Sequence, residues 1–291
     1  MDGIIVINKG KGCTSHDVVY KVKKLLKEKV GHTGTLDPNA TGVLPLLIGK
    51  GTGISQYLVN HDKKYLATIK LGERTDTADV EGNIVEKNAV DDSIFNREKI
   101  SAVLKEMIGK QKQRPPMYSA VKVNGKKLYE YARSGKNVDI PEREIEIYDL
   151  NLVDFDVAKK LIIFEISCSK GTYIRTVCEQ LAEKLGTVGY MKELNRTMVG
   201  EFMIENSVTI EDIEEHVDDK DFFKKNFISV EQFFRNSVKV DLDKRKLSLF
   251  LNGVKLDCGM VDGLVRVYDE SDVFVGIGSV KLGKLKREVI M

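Results

Sequence analysis

The sequence predicts an α+β chain in which one large domain of mixed helices and strands precedes a small β-rich one. Three observations carry that expectation. The chain has 291 residues, roughly twice a typical domain and enough to bury a substantial core without disulfides. Hydrophobic patterns of helical and strand period alternate through most of its length. Beyond Phe234 the pattern turns to short strands, which places a boundary near Ser237 and assigns 1–236 and 237–291 to separate domains, the second small enough to pack against the first.

The elements follow in order. Residues 3–8 form a short β-branched run before a Lys/Gly turn, read as a buried strand. Ser15 suits an N-cap for a helix whose apolar face is Val18, Val19, Val22, Leu25 and Leu26, ending near Lys29. Residues 64–71 alternate as a strand, the Gly, Asp and Thr cluster after them reads as a loop, and 96–107 as a helix. Residues 110–136 are the most basic stretch, with QRPP breaking regular structure and Asn124-Gly125 marking a hairpin. Strands at 143–150 and 161–168 lead to a helix whose buried face is Ile174, Val177, Leu181 and Leu185, closed by Gly186. Acidic residues gather at 211–221, and VKVDL, LVRVYD, VFVGIGSV and KREVIM supply the terminal strands.

Composition narrows the function. A net charge of +2 excludes a protein that coats nucleic acid indiscriminately and leaves room for a local basic patch. The four cysteines show no C-x-x-C spacing and the four histidines no H-x-x-x-H, so a disulfide framework, zinc and iron are not expected. With neither a signal-peptide pattern nor a membrane-length apolar window, the reading is a cytoplasmic, metal-free protein.

Several segments carry candidate chemistry. In GHTGTLDPNATGVLPLLIG, Pro38 biases Asp37 toward extended backbone while Gly31, Gly34 and Gly42 permit close approach of a ligand. Taken alone, D-P-N is more commonly an Asx turn. IGKGTG fails the P-loop pattern because Gly49-Lys50 is followed by Gly51. Ser15, His16 and Asp17 are adjacent, whereas triad members converge from separate segments. CSKGTYIRT puts Tyr173 and Arg175 at a helix entrance, where a guanidinium can pair with a carboxylate or phosphate, and Tyr65 heads an alternating strand where a core aromatic is the ordinary occupant.

Taken together, KGKGCTSHD, GHTGTLDPNATGVLPLLIG, KKYLATIKLGERTDTADVEG, PPMYSAVKVNGKKLYEYAR and CSKGTYIRT occur in the order seen in the TruB family of bacterial tRNA pseudouridine-55 synthases. The resemblance runs from about Ile4 to Arg196, and the last ~55 residues look like a small PUA-type RNA-binding domain. It implies a pseudouridine-synthase-like catalytic domain with a central mixed, mostly antiparallel sheet. It also implies that Asp37 is the essential catalytic residue, that Tyr65 stacks on the target base, and that Arg175 pairs with Asp37. Tyr173 and Leu194 would help line the pocket, and His32 resembles the residue that fills the gap left by a flipped nucleotide.

The implied reaction is a redox-neutral isomerisation needing no cofactor, with tRNA, through its T arm, as the partner. Lys9, Arg196, Lys122, Lys126 and Lys127 join the substrate contacts, the last three within a basic clamp at about 110–136 that also holds Lys110, Lys112, Arg114, Arg133, Tyr118, Tyr129 and Tyr131. Gly10 stands where the family commonly has proline, and Asn195 where a second arginine is frequent. Family analogy also implies a monomer with no obligate protein partner. The alternative reading is a non-catalytic tRNA-folding chaperone using the same basic surface, an activity able to coexist with catalysis.

Overall fold

Alternate burial along Lys63–Leu71, where Tyr65, Ala67, Ile69 and Leu71 are all buried, is the period-two pattern read from the sequence. The computed structural model describes every residue except Asn137, and the side chain of Arg133, named above in the basic clamp, also lies outside the described part. Two compact units divide the chain: Met1–Pro38, Val43–Val59 and Glu205–Met291 form one, Asn39–Gly42 and Asn60–Ile204 the other.

In the second unit the sheet order is Gly189–Val199, Lys63–Leu71, Leu161–Cys168, Arg143–Asp156, Gly109–Gln113, all antiparallel. Parallel pairing of Asn195 and Arg196 with Thr41 and Gly42 makes this sheet mixed, as expected. That pairing is tight: a Cβ on Gly42, whose φ is +102°, would lie 2.2 Å from the Arg196 carbonyl oxygen, so glycine is required there. Helices Arg97–Glu106 and Ile174–Lys184 pack on the sheet and on each other, burying Ile100, Leu104, Val177 and Leu181.

The basic stretch begins inside this sheet, because Gly109–Gln113 pairs with Arg143–Asp156 and only residues after Gln113 leave it. Strands Lys122–Val123 and Lys126–Lys127 then form the hairpin foreseen from Asn124-Gly125, whose φ values of +51° and +81° are those of a two-residue turn. A small core of Val121, Leu128 and Ile140 closes the insertion on itself.

In the first unit, strand Gly3–Lys9 lies between Phe227–Ser229 and Thr41–Ile48 in sheet order, with Val30–His32 antiparallel to the latter. Helix Ser15–Leu26 differs from expectation at both ends. Its N-cap is Thr14, which accepts from the Asp17 N–H while the Asp17 carboxylate reaches back to the Thr14 N–H. That reciprocal box leaves Ser15 inside the first turn, free for another task. At the other end Lys27 turns left-handed at φ 56° and stops the helix before Lys29.

Strands Val238–Asp241, Gly263–Tyr268, Phe274–Lys281, Lys284–Ile290 and Leu256–Asp257 make a five-stranded sheet. Its core is Leu242, Phe250, Leu256, Val265, Val267, Val280 and Leu285. Phe250 comes from helix Lys244–Leu251, an element absent from the strand-only expectation; Asp243 caps it by accepting from the Lys246 N–H. This sheet rests on the rest of its unit through Tyr268, whose hydroxyl donates to Glu231, and through Val289, whose methyls would lie 3.3–3.4 Å from a Cβ placed on Gly53.

Candidate active site

Asp37 sits half-buried in a loop whose flanking residues are both tied down. Before it, Leu36 is held at both backbone groups by one side chain: Ser15 Oγ accepts from the Leu36 N–H at 2.9 Å and donates to the Leu36 carbonyl at 3.2 Å. After it, the Pro38 carbonyl accepts from Lys9 Nζ at 3.0 Å and from the Gly12 N–H at 3.0 Å. The KGKGCTSHD segment is therefore the scaffold of the Asp37 loop. Both pins act on main chain, so they fix the position of Asp37 without occupying its carboxylate.

Lys9, expected among the substrate contacts, is part of this scaffold. It is fully buried, and its ammonium also donates to the Gly10 carbonyl at 2.8 Å and the Cys13 carbonyl at 2.7 Å. Three carbonyls converging on one cation replace the water it lost on burial, and they turn it inward. His32 ends strand Val30–His32 opposite Leu46 and is half-buried.

In the second unit, Arg175 is 5% exposed, and its guanidinium meets Asp79, Thr77 and Tyr118. Its Nη1 lies 3.4 Å from Asp79 Oδ2 and 3.3 Å from the Thr77 carbonyl, and its Nη2 donates to the Tyr118 carbonyl at 2.9 Å. Asp79 is itself buried, and its other oxygen accepts from the Thr77 hydroxyl and the Glu81 N–H. The carboxylate is thus oriented toward Arg175 before any ligand arrives. Asp79 and Thr77 were not expected from the sequence, although both lie in its T-D-T-A-D run.

Tyr65 is buried and faces Arg196 and Ile166 across its two strand neighbours. Arg196 is fully buried, and Leu194, also buried, accepts from the Thr41 hydroxyl through its carbonyl. Burial first, and then the Arg196 charge, push the Lys63 ammonium below its ordinary pKa. Tyr173 is the N-cap residue of helix Ile174–Lys184, and its ring packs on Val121, Leu128 and Ile140 of the insertion.

On the hairpin, Lys122 and Lys126 are exposed, whereas Lys127 lies 5.4 Å above the Tyr129 ring. Tyr131 donates its hydroxyl to the Val123 carbonyl, so its polar end holds the hairpin together. Among the described residues no group of three or more His, Cys, Asp or Glu is placed to hold a metal ion, and no helix is long and apolar enough to cross a membrane.

Comparison with known proteins covers nearly the whole chain. The family described as "TruB family pseudouridylate synthase (N terminal domain)" matches residues 22–174. "tRNA pseudouridylate synthase B C-terminal domain" matches 175–234, and "Pseudouridine synthase II TruB, C-terminal" matches 239–289. The tRNA pseudouridine synthase B of Bacillus cytotoxicus is 44% identical over 261 residues, 88% of this chain and 84% of its own. The protein of the same name from Caldanaerobacter subterraneus is 41% identical over 289 residues, 98% of both chains. Among solved structures, a chain of an H/ACA RNP bound to a substrate RNA containing 2'-deoxyuridine shares the fold at a TM-score of 0.69 and 24% identity, over 99% of this chain and 85% of that one. A chain of a Cbf5-Nop10-Gar1 complex matches at 0.67 and 26%, over 99% and 83%.

Proposed function

The chain belongs to the TruB family of pseudouridylate synthases, and from that premise we propose that it isomerises uridine-55 in the T-loop of tRNA to pseudouridine, with Asp37 as the reacting carboxylate. The observation that carries the assignment of Asp37 is the loop in which Leu36 and Pro38 are both pinned by main-chain hydrogen bonds. Such pinning suits a group that must meet one carbon atom of a substrate, since small displacements of a reacting group are costly.

The reaction breaks the bond from ribose C1′ to uracil N1, turns the ring, and joins C1′ to C5; the C5 proton leaves and N1 gains one. No electrons are gained or lost. Three roles are open to a single carboxylate: attack at C6 of the base, attack at C1′, or removal of the 2′ proton. The base must first leave its stack, at a cost of a few kcal/mol. Stacking on an aromatic side chain such as Tyr65 offsets that cost by about 1–3 kcal/mol. Arg175, held by Asp79, supplies positive charge; Tyr173, Leu194 and Arg196 are substrate contacts, and His32 fills the gap left by the flipped nucleotide.

Lys122 and Lys126 contact the phosphates of the T arm, helped by Lys127, while residues 237–291 form a PUA-like module that adds RNA contacts to the catalytic domain at 1–236. Support for that division comes from the separate core of the five-stranded sheet and from the family match at 239–289. The enzyme works in the cytoplasm as a monomer.

Release of tritium from tRNA labelled at uridine C5 tests the reading. Asp37→Asn should abolish release while tRNA still binds; turnover by that variant would refute the role of Asp37. Mapping pseudouridine nucleotide by nucleotide then tests position 55.

A further inference from the structure

Gln113 is the last residue of strand Gly109–Gln113, immediately before Arg114-Pro115-Pro116 opens the basic insertion. It is 2% exposed, on a strand whose lysines face solvent. Both ends of its amide are spent on one residue: Nε2 donates to the Tyr173 carbonyl at 3.1 Å, and Oε1 accepts from the Tyr173 N–H at 2.8 Å. A side chain here does what a neighbouring strand would do, and it does so at the N-cap of the helix that carries Arg175 in its first turn.

Two further links join the same partners. Arg175 Nη2 donates to the Tyr118 carbonyl, which lies within the insertion. The Tyr173 ring packs on Val121, Leu128 and Ile140, the insertion's own core. The insertion is thus fastened to the Tyr173–Arg175 segment at its root by Gln113, at the bend before its hairpin by Tyr118, and through its core by Tyr173. Of these, only the Gln113 clip fixes the backbone from which the Arg175 side chain projects.

We propose that Gln113 is a positioning residue that couples the basic insertion to Arg175, so that RNA seated on the hairpin sets the placement of the guanidinium. The inference rests on the role of Arg175 given above. An RNA that seats wrongly and pulls on the insertion shifts Tyr173 and with it Arg175, and the clip thereby makes rate, rather than affinity, sensitive to correct docking.

The test is single-turnover pseudouridine formation at saturating tRNA, with tRNA affinity measured beside it. Gln113→Glu keeps the size and the acceptor of the amide but sets a second oxygen against the Tyr173 carbonyl. Its rate should fall by about 10- to 100-fold near neutral pH, the loss typical of a reacting group displaced by about 1 Å, with affinity within about twofold. Because a protonated carboxyl donates again, the ratio of variant to wild-type rate should recover as pH falls. Gln113→Ala should be slow at every pH, and thermal melts should show both variants folded.

Three results would overturn the proposal: a wild-type rate in Gln113→Ala, loss of affinity with the rate intact, or a Gln113→Glu defect indifferent to pH. Arg175→Lys separates the two layers. If it is slow while the Gln113 variants are fast, the coupling alone fails; if it is fast, the role of Arg175 fails and takes the coupling with it.

Discussion

Replacing Ser15 by alanine removes one oxygen atom and two hydrogen bonds, both to Leu36. Ser15 is 1% exposed and Leu36 is buried, so water does not take over. An amide N–H stranded in this way costs about 1–3 kcal/mol, and a lost neutral bond about 1 kcal/mol more. The helix contributes little to the loss, since Thr14 rather than Ser15 caps it. We therefore expect a destabilisation of about 2–4 kcal/mol, which for a protein of this size lowers Tm by about 4–16 °C.

The second consequence is catalytic. With Leu36 released, the Asp37 loop loses its pin on that side, and the single-turnover rate should fall by about tenfold or more while tRNA affinity stays near wild type. Differential scanning fluorimetry reads the first effect and rapid-quench pseudouridine assays the second. A variant that melts several degrees lower yet reacts at full speed would show that the Leu36 pin serves the fold alone and not the placement of Asp37.

Other outcomes follow from the same geometry. Asp79→Asn takes one carboxylate away from the buried Arg175 guanidinium and should destabilise the fold, readable as a lower denaturation midpoint. Lys126→Ala should weaken tRNA binding at low salt and flatten the dependence of log affinity on log salt by just under 1; an unchanged slope would remove Lys126 from the phosphate contacts. Burial pushes the Cys168 thiol up to about 11, so the unfolded chain loses this proton first. Stability contributed at neutral pH should then decline from about pH 9 upward, by about 2–3 kcal/mol at pH 11, and Cys168→Ala should show a shallower decline over that window.

What could be read in advance was whatever burial dictates over several residues. Strand 161–168, strand 64–71 and the helix closed by Gly186 were legible because each buries one periodic face. Asn124-Gly125 was legible because few other pairs tolerate two positive φ values. Helix Lys244–Leu251 was not, since it fully buries only Phe250 and stands between strands, although Asp243 was an available capping signal. The T-S-H-D box likewise pointed to Thr14 and was read one residue late.

Within the site, the loop around Asp37 was legible only through resemblance, because D-P-N by itself marks a turn. The partners of Arg175 lay beyond reach for a different reason. Asp79 and Tyr118 are separated from it by 96 and 57 residues, and nothing local in T-D-T-A-D or M-Y-S says which distant guanidinium they meet. Gln113 was hidden similarly, in a K-Q-K-Q strand whose two glutamines differ only in what they face.

The two pins on the Asp37 loop differ from the clasp on Arg175 in how far along the chain they reach. Ser15 meets Leu36 across 21 residues and Lys9 meets Pro38 across 29, whereas Arg175 meets Thr77 across 98. Since each doubling of a closed loop adds about 0.6 kcal/mol of entropic cost, the cradle of the carboxylate is the cheaper closure by about 1 kcal/mol. Synthesised from its N-terminus, the chain has both partners of that cradle in hand within its first forty or so residues. The guanidinium's clasp waits for more than a hundred further residues, which makes the reacting loop an early event in the life of the molecule and its electrostatic partner a late one.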